Sequence, residues 1–260
     1  MTTDLIPLLL AMLSGGVVAL LLTLFGGGGS VLAVPLLLYV VGVADPHVAI
    51  GVSAAGVALN ALTALAGHAR AGRVRWPCAT LFAVTGAAGA WIGSSVAKTI
   101  DGHQLLLIFA VAMAAVGASM LRPRAVVARP EPRLNWAMSP RVSLAGAGVG
   151  SAAGFFGIGG GFLIVPGLMA STGMTLATAQ ATSLLSVAAL GATTAANYAL
   201  SGWVDPGLVA AMTVGGLAGT AAGLPLARKL GSNAALGRTL FAGLILMVAA
   251  YVAWRALAGT

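Results

Sequence analysis

The chain has 260 residues, 59% hydrophobic and 7% charged, with a mean hydropathy of +1.02. A soluble domain carries roughly 25% charged residues, and 13 Lys and Arg with 5 Asp and Glu cannot cover a 25.5 kDa particle in water. This excludes a soluble enzyme, a disordered chain and a disulfide scaffold, and the long Gly- and Ala-rich apolar runs exclude an outer-membrane barrel. The expected class is an all-α polytopic membrane protein, with the lipid bilayer as its surroundings.

The net charge of +8 does not point to nucleic acid, because the basic residues sit in short clusters between apolar runs. Arg70, Arg73 and Arg75 form one, Arg122, Arg124, Arg129, Arg133 and Arg141 a second, and Arg228 with Lys229 a third. Such clusters at span ends set orientation. One cysteine, Cys78, leaves no internal disulfide,.

Uncharged runs cover residues 5–44, 46–69, 76–97, 102–121, 142–204, 206–227 and 239–254. The first is about twice the length that crosses a bilayer as helix, so it turns or breaks within the membrane. Gly26, Gly27, Gly28, Gly29 and Ser30, followed by Pro35, mark the break, since consecutive glycines weaken helix and proline cannot continue it,. The run 142–204 carries a matching break at Gly157, Ile158, Gly159, Gly160 and Gly161, followed by Pro166.

The match is an internal repeat. An offset of 131 aligns Phe25 and Gly26 with Phe156 and Gly157, and Val34 and Pro35 with Val165 and Pro166. At an offset of 130, Ser53 falls on Ser183, and Gly86, Gly89 and Gly93 on Gly216, Gly219 and Gly223. The first copy, 1–121, has segments at 5–25, 31–43, 47–67, 77–97 and 103–121. The second, 142–260, has them at 142–156, 162–173, 176–200, 207–227 and 234–254, and 122–141 is the linker. Basic loops stay cytoplasmic. The 70s loop, the linker and the 230s are therefore read as cytoplasmic, and the 45, 100 and 205 regions with both termini as periplasmic. Five segments per copy then give two inverted-topology repeats, with broken or re-entrant helices at the glycine motifs. The chain is expected to be a multi-pass protein of the bacterial inner (plasma) membrane.

Inverted repeats with matching broken helices form the architecture of secondary transporters, with substrate bound where the repeats meet. Half-helices starting near Val31 and Phe162 would aim unpaired N–H groups and positive dipole ends at a small anionic substrate. The following segments add polar stripes: Ser53, Gly56, Asn60, Thr63 and Gly67, then Ser183, Ser186, Leu190, Thr193 and Asn197,. Gln180, Thr182 and Thr194 lie near the second stripe. The substrate-binding set is thus Gly26 to Ser30, Ser53, Asn60, Gly157, Gly159, Gly160, Gly161, Gln180, Ser183, Thr193 and Asn197. A Ser or Thr in such a helix also satisfies itself on its own i−4 carbonyl, and both readings stand at this point. Gly86, Gly89, Gly93 and their partners have the spacing of helix packing. His47, His68 and His103 lack metal spacing, so no metal or cofactor is expected. Asp45, Asp101 and Asp205 lie in loops. Without a nucleophile motif or a carboxylate pair in the spans, catalysis is not expected.

The paired Phe-Gly-x-Gly-Gly and Pro elements, the segments Ala49–Ser53 and Ala179–Ser183, and Gly72-Arg73-Val74 with Gly202-Trp203-Val204 resemble the TauE/SafE sulfite exporter-like permeases. The resemblance implies export of sulfite or a small organosulfonate such as sulfoacetate. The alternatives are a passive anion channel and an uptake permease for a related sulfur compound. A homodimer is left open. An anion leaving an inside-negative cell gains about 2.3 kcal/mol per charge per 100 mV, so export could run as a uniport.

Overall fold

The computed structural model describes residues 5–121, 138–157, 161–230 and 234–258. Every regular element among them is helical. Helix α1 spans Leu5–Phe25 and is followed by a 3-10 helix, Gly26–Leu32, a short α2, Ala33–Leu36, and a π-helical turn, Leu37–Val41. Then come α3 (Pro46–Arg70), α4 (Trp76–Ala97), α5 (Gly102–Leu121), α6 (Ser139–Phe156), α7 (Gly161–Thr172), α8 (Leu176–Ala199), α9 (Pro206–Leu230) and α10 (Ala234–Ala258). Five helices, α1, α3, α4, α8 and most of α9, are long and apolar enough to cross a membrane. The chain is an all-α polytopic membrane protein. Of the linker, 122–137 lies outside the described residues.

The ends of the helices follow local chemistry. Asp45 caps α3 by accepting from His47 N at 2.8 Å, with Pro46 in the first turn, where a missing N–H costs nothing,. Gly42, Gly72, Gly157, Gly173 and Gly202 close helices or turns at positive φ, which other residues adopt at a cost,.

Helix packing then joins the two halves. α1 lies along α9, α4 along α6, α3 along α8 and α5 along α10, while α3 also meets α9 and α4 meets α8. Exchanging α1–α5 for α6–α10 maps this set of pairs onto itself. The equivalence reaches single residues. A Cβ on Gly15 would fall on the Met212 backbone, and one on Gly146 would fall on Phe82 and Thr85. Gly146 is Gly15 shifted by 131, and Met212 is Phe82 shifted by 130.

Lipid gives apolar helices no hydrophobic reason to associate, so close backbone approach over small residues supplies the attraction. Gly86, Gly89 and Gly93 meet the backbones of α6, while Gly219 meets Gly16 and Gly223 meets Thr23. The packing role expected for these glycines is what the structure shows.

Loop contacts sort the helix ends onto two faces. His47 stacks on Trp203 at 4.7 Å, Lys98 bonds Ser201, and Gly102 abuts Pro46. Leu8 lies beside Gly207. Asp45, Asp101, Asp205 and the start of α1 thus share an acidic face, and Arg70, Arg73 and Arg75 mark the opposite, basic face. The 26–41 stretch returns to the face from which α1 came. By the same logic α7 returns to the face from which α6 came.

The glycine faces give a sharp test within one helix. Gly150 has the Gly86 backbone where its Cβ would go, whereas Gly148, two residues away, has open space. Gly150→Ala should lower the thermal unfolding midpoint in detergent by the equivalent of about 1–3 kcal/mol of overpacking, and Gly148→Ala should leave it unchanged or raise it.

Candidate functional site

The two glycine motifs take different conformations. Gly26–Leu32 does not open; it winds tighter, and the Ala33 N–H bonds Ser30 O. A 3-10 helix pairs each amide three residues back, so the first motif keeps most of its N–H groups satisfied internally. Only four α-helical residues follow it. A short apolar helical stretch does follow, Gly29–Val41, but it continues straight from the 3-10 turn, so its start at Val31 is not a fresh N-terminus with four free N–H groups. Gly29 needs to be glycine for another reason: a Cβ there would land on the backbone of Leu21 and Leu22. Gly29 and Ser30 are buried.

The second motif does break. Gly157 ends α6 at φ +65, and α7 restarts at Gly161 for 12 residues. Gly159 and Gly160 lie outside the described residues. The Gly157 carbonyl accepts from Ser53 Oγ at 3.0 Å, and the same hydroxyl has Ile50 O at 2.9 Å. One proton serves two carbonyls, so Ser53 ties α3 to the break by a bond it can give up. Ser183, its repeat partner, has Gln180 O at 2.8 Å, and α8 packs on the first motif.

Helices α3 and α8 run antiparallel, with Gly191 against Ala54 and Ala58 and Gly51 against Tyr198 and the Trp203 carbonyl. Counting at 1.5 Å per residue, Ser53 and Ser183 stand roughly 18 Å apart along the pair. The segments after the two motifs run in opposite directions, and the first motif packs alongside α7.

The polar stripes divide. Asn60 is fully buried but faces α9: Nδ2 reaches Met212 O at 3.4 Å, and Oδ1 lies against Gly216. Asn197 faces α4, bonding Ser94, Ser95 and the Trp91 carbonyl. Neither asparagine makes a described hydrogen bond to a glycine motif. Thr193 bonds its own Ala189 carbonyl at 2.8 Å, and Gln180 is half-buried. Thr182 accepts from Arg75 N at 3.2 Å, joining α8 to the basic turn.

Three groups outweigh these. Ser186, Thr194 and Tyr198 are each 0% exposed, and their hydroxyls have no partner among the described residues. At 100° per residue they share one face of α8 with Ser183. The spacing brought out Ser183, Ser186 and Thr194 but not Tyr198, and which hydroxyls lack an acceptor depends on neighbours that sequence does not reveal.

Helical segments around two glycine motifs, with an interior line of hydroxyls unpaired among the described residues, are the features of a membrane transporter, and the comparisons with known proteins agree. The family described as "Sulfite exporter TauE/SafE" matches residues 11–252. The chain belongs to that family. It is similar to a "Probable membrane transporter protein" of Xylella fastidiosa strain Temecula1, 45% identical over 243 residues and 93% of both chains. Strain 9a5c has a relative of the same name, identity and coverage. The "Probable membrane transporter protein YdhB" of Bacillus subtilis strain 168 is 26% identical over 198 residues, 75% of this chain and 79% of the relative. No solved structure matches the chain.

Ser53→Ala leaves a buried carbonyl unbonded and should cost about 1–3 kcal/mol, read as a lowered unfolding midpoint. Thr193→Ala removes a bond made only to its own helix and should be near neutral in the same measurement.

Proposed function

We propose that this transporter moves a small sulfur-containing anion, sulfite or an organosulfonate such as sulfoacetate, outward across the bacterial inner membrane. The observation that carries the reading is the line of buried hydroxyls on α8. Ser186, Thr194 and Tyr198 each keep a donor with no described acceptor, and an unmade buried hydrogen bond costs about 1–3 kcal/mol. Spread over about 18 Å of α8, the three hydroxyls suit a path on which a tetrahedral or pyramidal oxyanion, whose oxygens accept from several directions, is met by one donor after another. Ser53, bonded to the Gly157 carbonyl, lies on the facing helix α3 beside this line.

The inverted repeat supports alternating access, since the helix pairs are equivalent under exchange of the halves. Either half could then open while the other stays closed. The positive-inside rule assigns the face bearing Arg70, Arg73 and Arg75 to the cytoplasm. An anion leaving from that face gains about 2.3 kcal/mol per charge per 100 mV, so the membrane potential suffices as driving force.

The test is thermal stabilisation of the purified protein by sulfite, sulfate, thiosulfate, sulfoacetate, taurine and a matched carboxylate. A ligand that binds the folded state raises the midpoint once its concentration exceeds its Kd. Sulfite or sulfoacetate should stabilise, and Thr194→Val, which keeps shape and removes the hydroxyl, should lose the shift. Stabilisation by none of the anions would remove the anion reading. In vesicles, export should follow an imposed inside-negative potential without a sodium or proton gradient, and a demonstrated need for either gradient at zero potential would end the uniport mechanism.

A further inference from the structure

The end of α4 at the acidic face is tied to α8 by a polar network. Lys98 Nζ donates to Asn197 Oδ1 at 2.7 Å, to the Asn197 carbonyl at 3.1 Å and to Ser201 Oγ at 3.0 Å. All three ammonium protons are spent on the end of α8. Asn197 Nδ2 then donates back to α4, with Ser94 Oγ at 2.7 Å, Ser95 Oγ at 2.9 Å and Trp91 O at 3.2 Å. The amide bridges a charge on one side and two hydroxyls on the other, so α4 and α8 cannot separate here without breaking several bonds together.

Shifting Lys98, Asn197, Ser201, Ser94 and Ser95 by 130 residues gives Arg228, Gly67, Ala71, Leu224 and Pro225. Gly67 has no side chain to bond, and it packs on the Leu224 side chain. The counterpart contact between α3 and α9 has Gly67 against Leu224 and, one turn further in, a single hydrogen bond between the Thr63 and Thr220 hydroxyls at 3.2 Å, so among the described side chains the bridging amide belongs to one face alone. We infer that Lys98 and Asn197 form a latch that holds the acidic face shut at rest, so that solute enters first from the basic face.

The latch also has a trigger. Its three acceptors are neutral oxygens, and hydrogen bonds between two charged groups are stronger than those to neutral oxygen. An anion arriving from the interior is a better partner for Lys98 than Asn197 is. Transfer of Nζ to the anion frees the end of α8, and the face opens only when there is something to release. The inference rests on the alternating-access reading above, but the latch itself is measurable without substrate.

Ala97, 0% exposed beside Lys98, serves as reporter. The full chain carrying Cys78→Ala and Ala97→Cys is labelled with a membrane-impermeant maleimide. Asn197→Ala and Lys98→Met should each raise the labelling rate about ten-fold, the effect of losing one or two net hydrogen bonds. Lys98→Arg keeps a multiple donor and should stay near the parent. Asn197→Asp turns the latch into an ion pair and should lower both labelling and turnover. A purely structural asparagine would instead give faster labelling in both Asn197 variants, and that result overturns the latch. Unchanged labelling in Asn197→Ala and Lys98→Met overturns it as well. If Asn197→Ala does not fold, the Lys98 variants decide alone. Anion-induced stabilisation with unaltered labelling would remove the latch and leave transport standing. Altered labelling with no anion binding would keep the latch and remove the anion reading.

Discussion

In a bilayer every backbone amide and carbonyl must find its partner inside the protein, and this demand shapes both glycine motifs. A run of glycines loosens a helix, yet lipid forbids loosening without compensation. The first motif meets the demand by overwinding into a 3-10 helix, the second by turning at Gly157 and lending its carbonyl to Ser53. Two sequences that look like copies thus reach two answers, one closed on itself and one dependent on a neighbouring helix. The dependent one is the point at which α3 can influence the break.

Around this centre, glycine does the work of association. Met212 and Phe82 occupy equivalent places above Gly15 and Gly146, and contact at backbone distance leaves no room for a side chain between helices. Packing of this kind is rigid across the pair. Motion is therefore easier where pairs meet through side chains or hydrogen bonds, as at α4 and α8, than along the glycine seams of α1 with α9 and α4 with α6.

Much of this was readable from residue order alone. Apolar run lengths and charge clusters placed the spans, and the offsets of 130 and 131 located the equivalent glycines, because repeat spacing and helical periodicity are local or near-local signals. The site was harder. Asn60 and Asn197 carry the same polar group on similar stripes, but one faces α9 and the other α4, and only tertiary packing decides which neighbour an amide meets. Lys98 reads in sequence as a loop charge, yet its reach of several methylenes brings it to Asn197. The glycine run Gly26–Gly29 signals weakness of the α-helix without saying whether the chain will open or wind tighter.

The pairing of helices has a consequence for how the protein is made. α1 rests on α9, α4 on α6, α3 on α8 and α5 on α10, so each of these partnerships joins one half to the other. Synthesis proceeds from the N-terminus, and α1 through α5 therefore enter the membrane with their glycine faces uncovered. They must wait among lipid, or beside an insertion factor, until α6 and α9 arrive to cover them. The first half is then a biogenesis intermediate and not a folded domain, and the halves complete each other only when the last helices are in place.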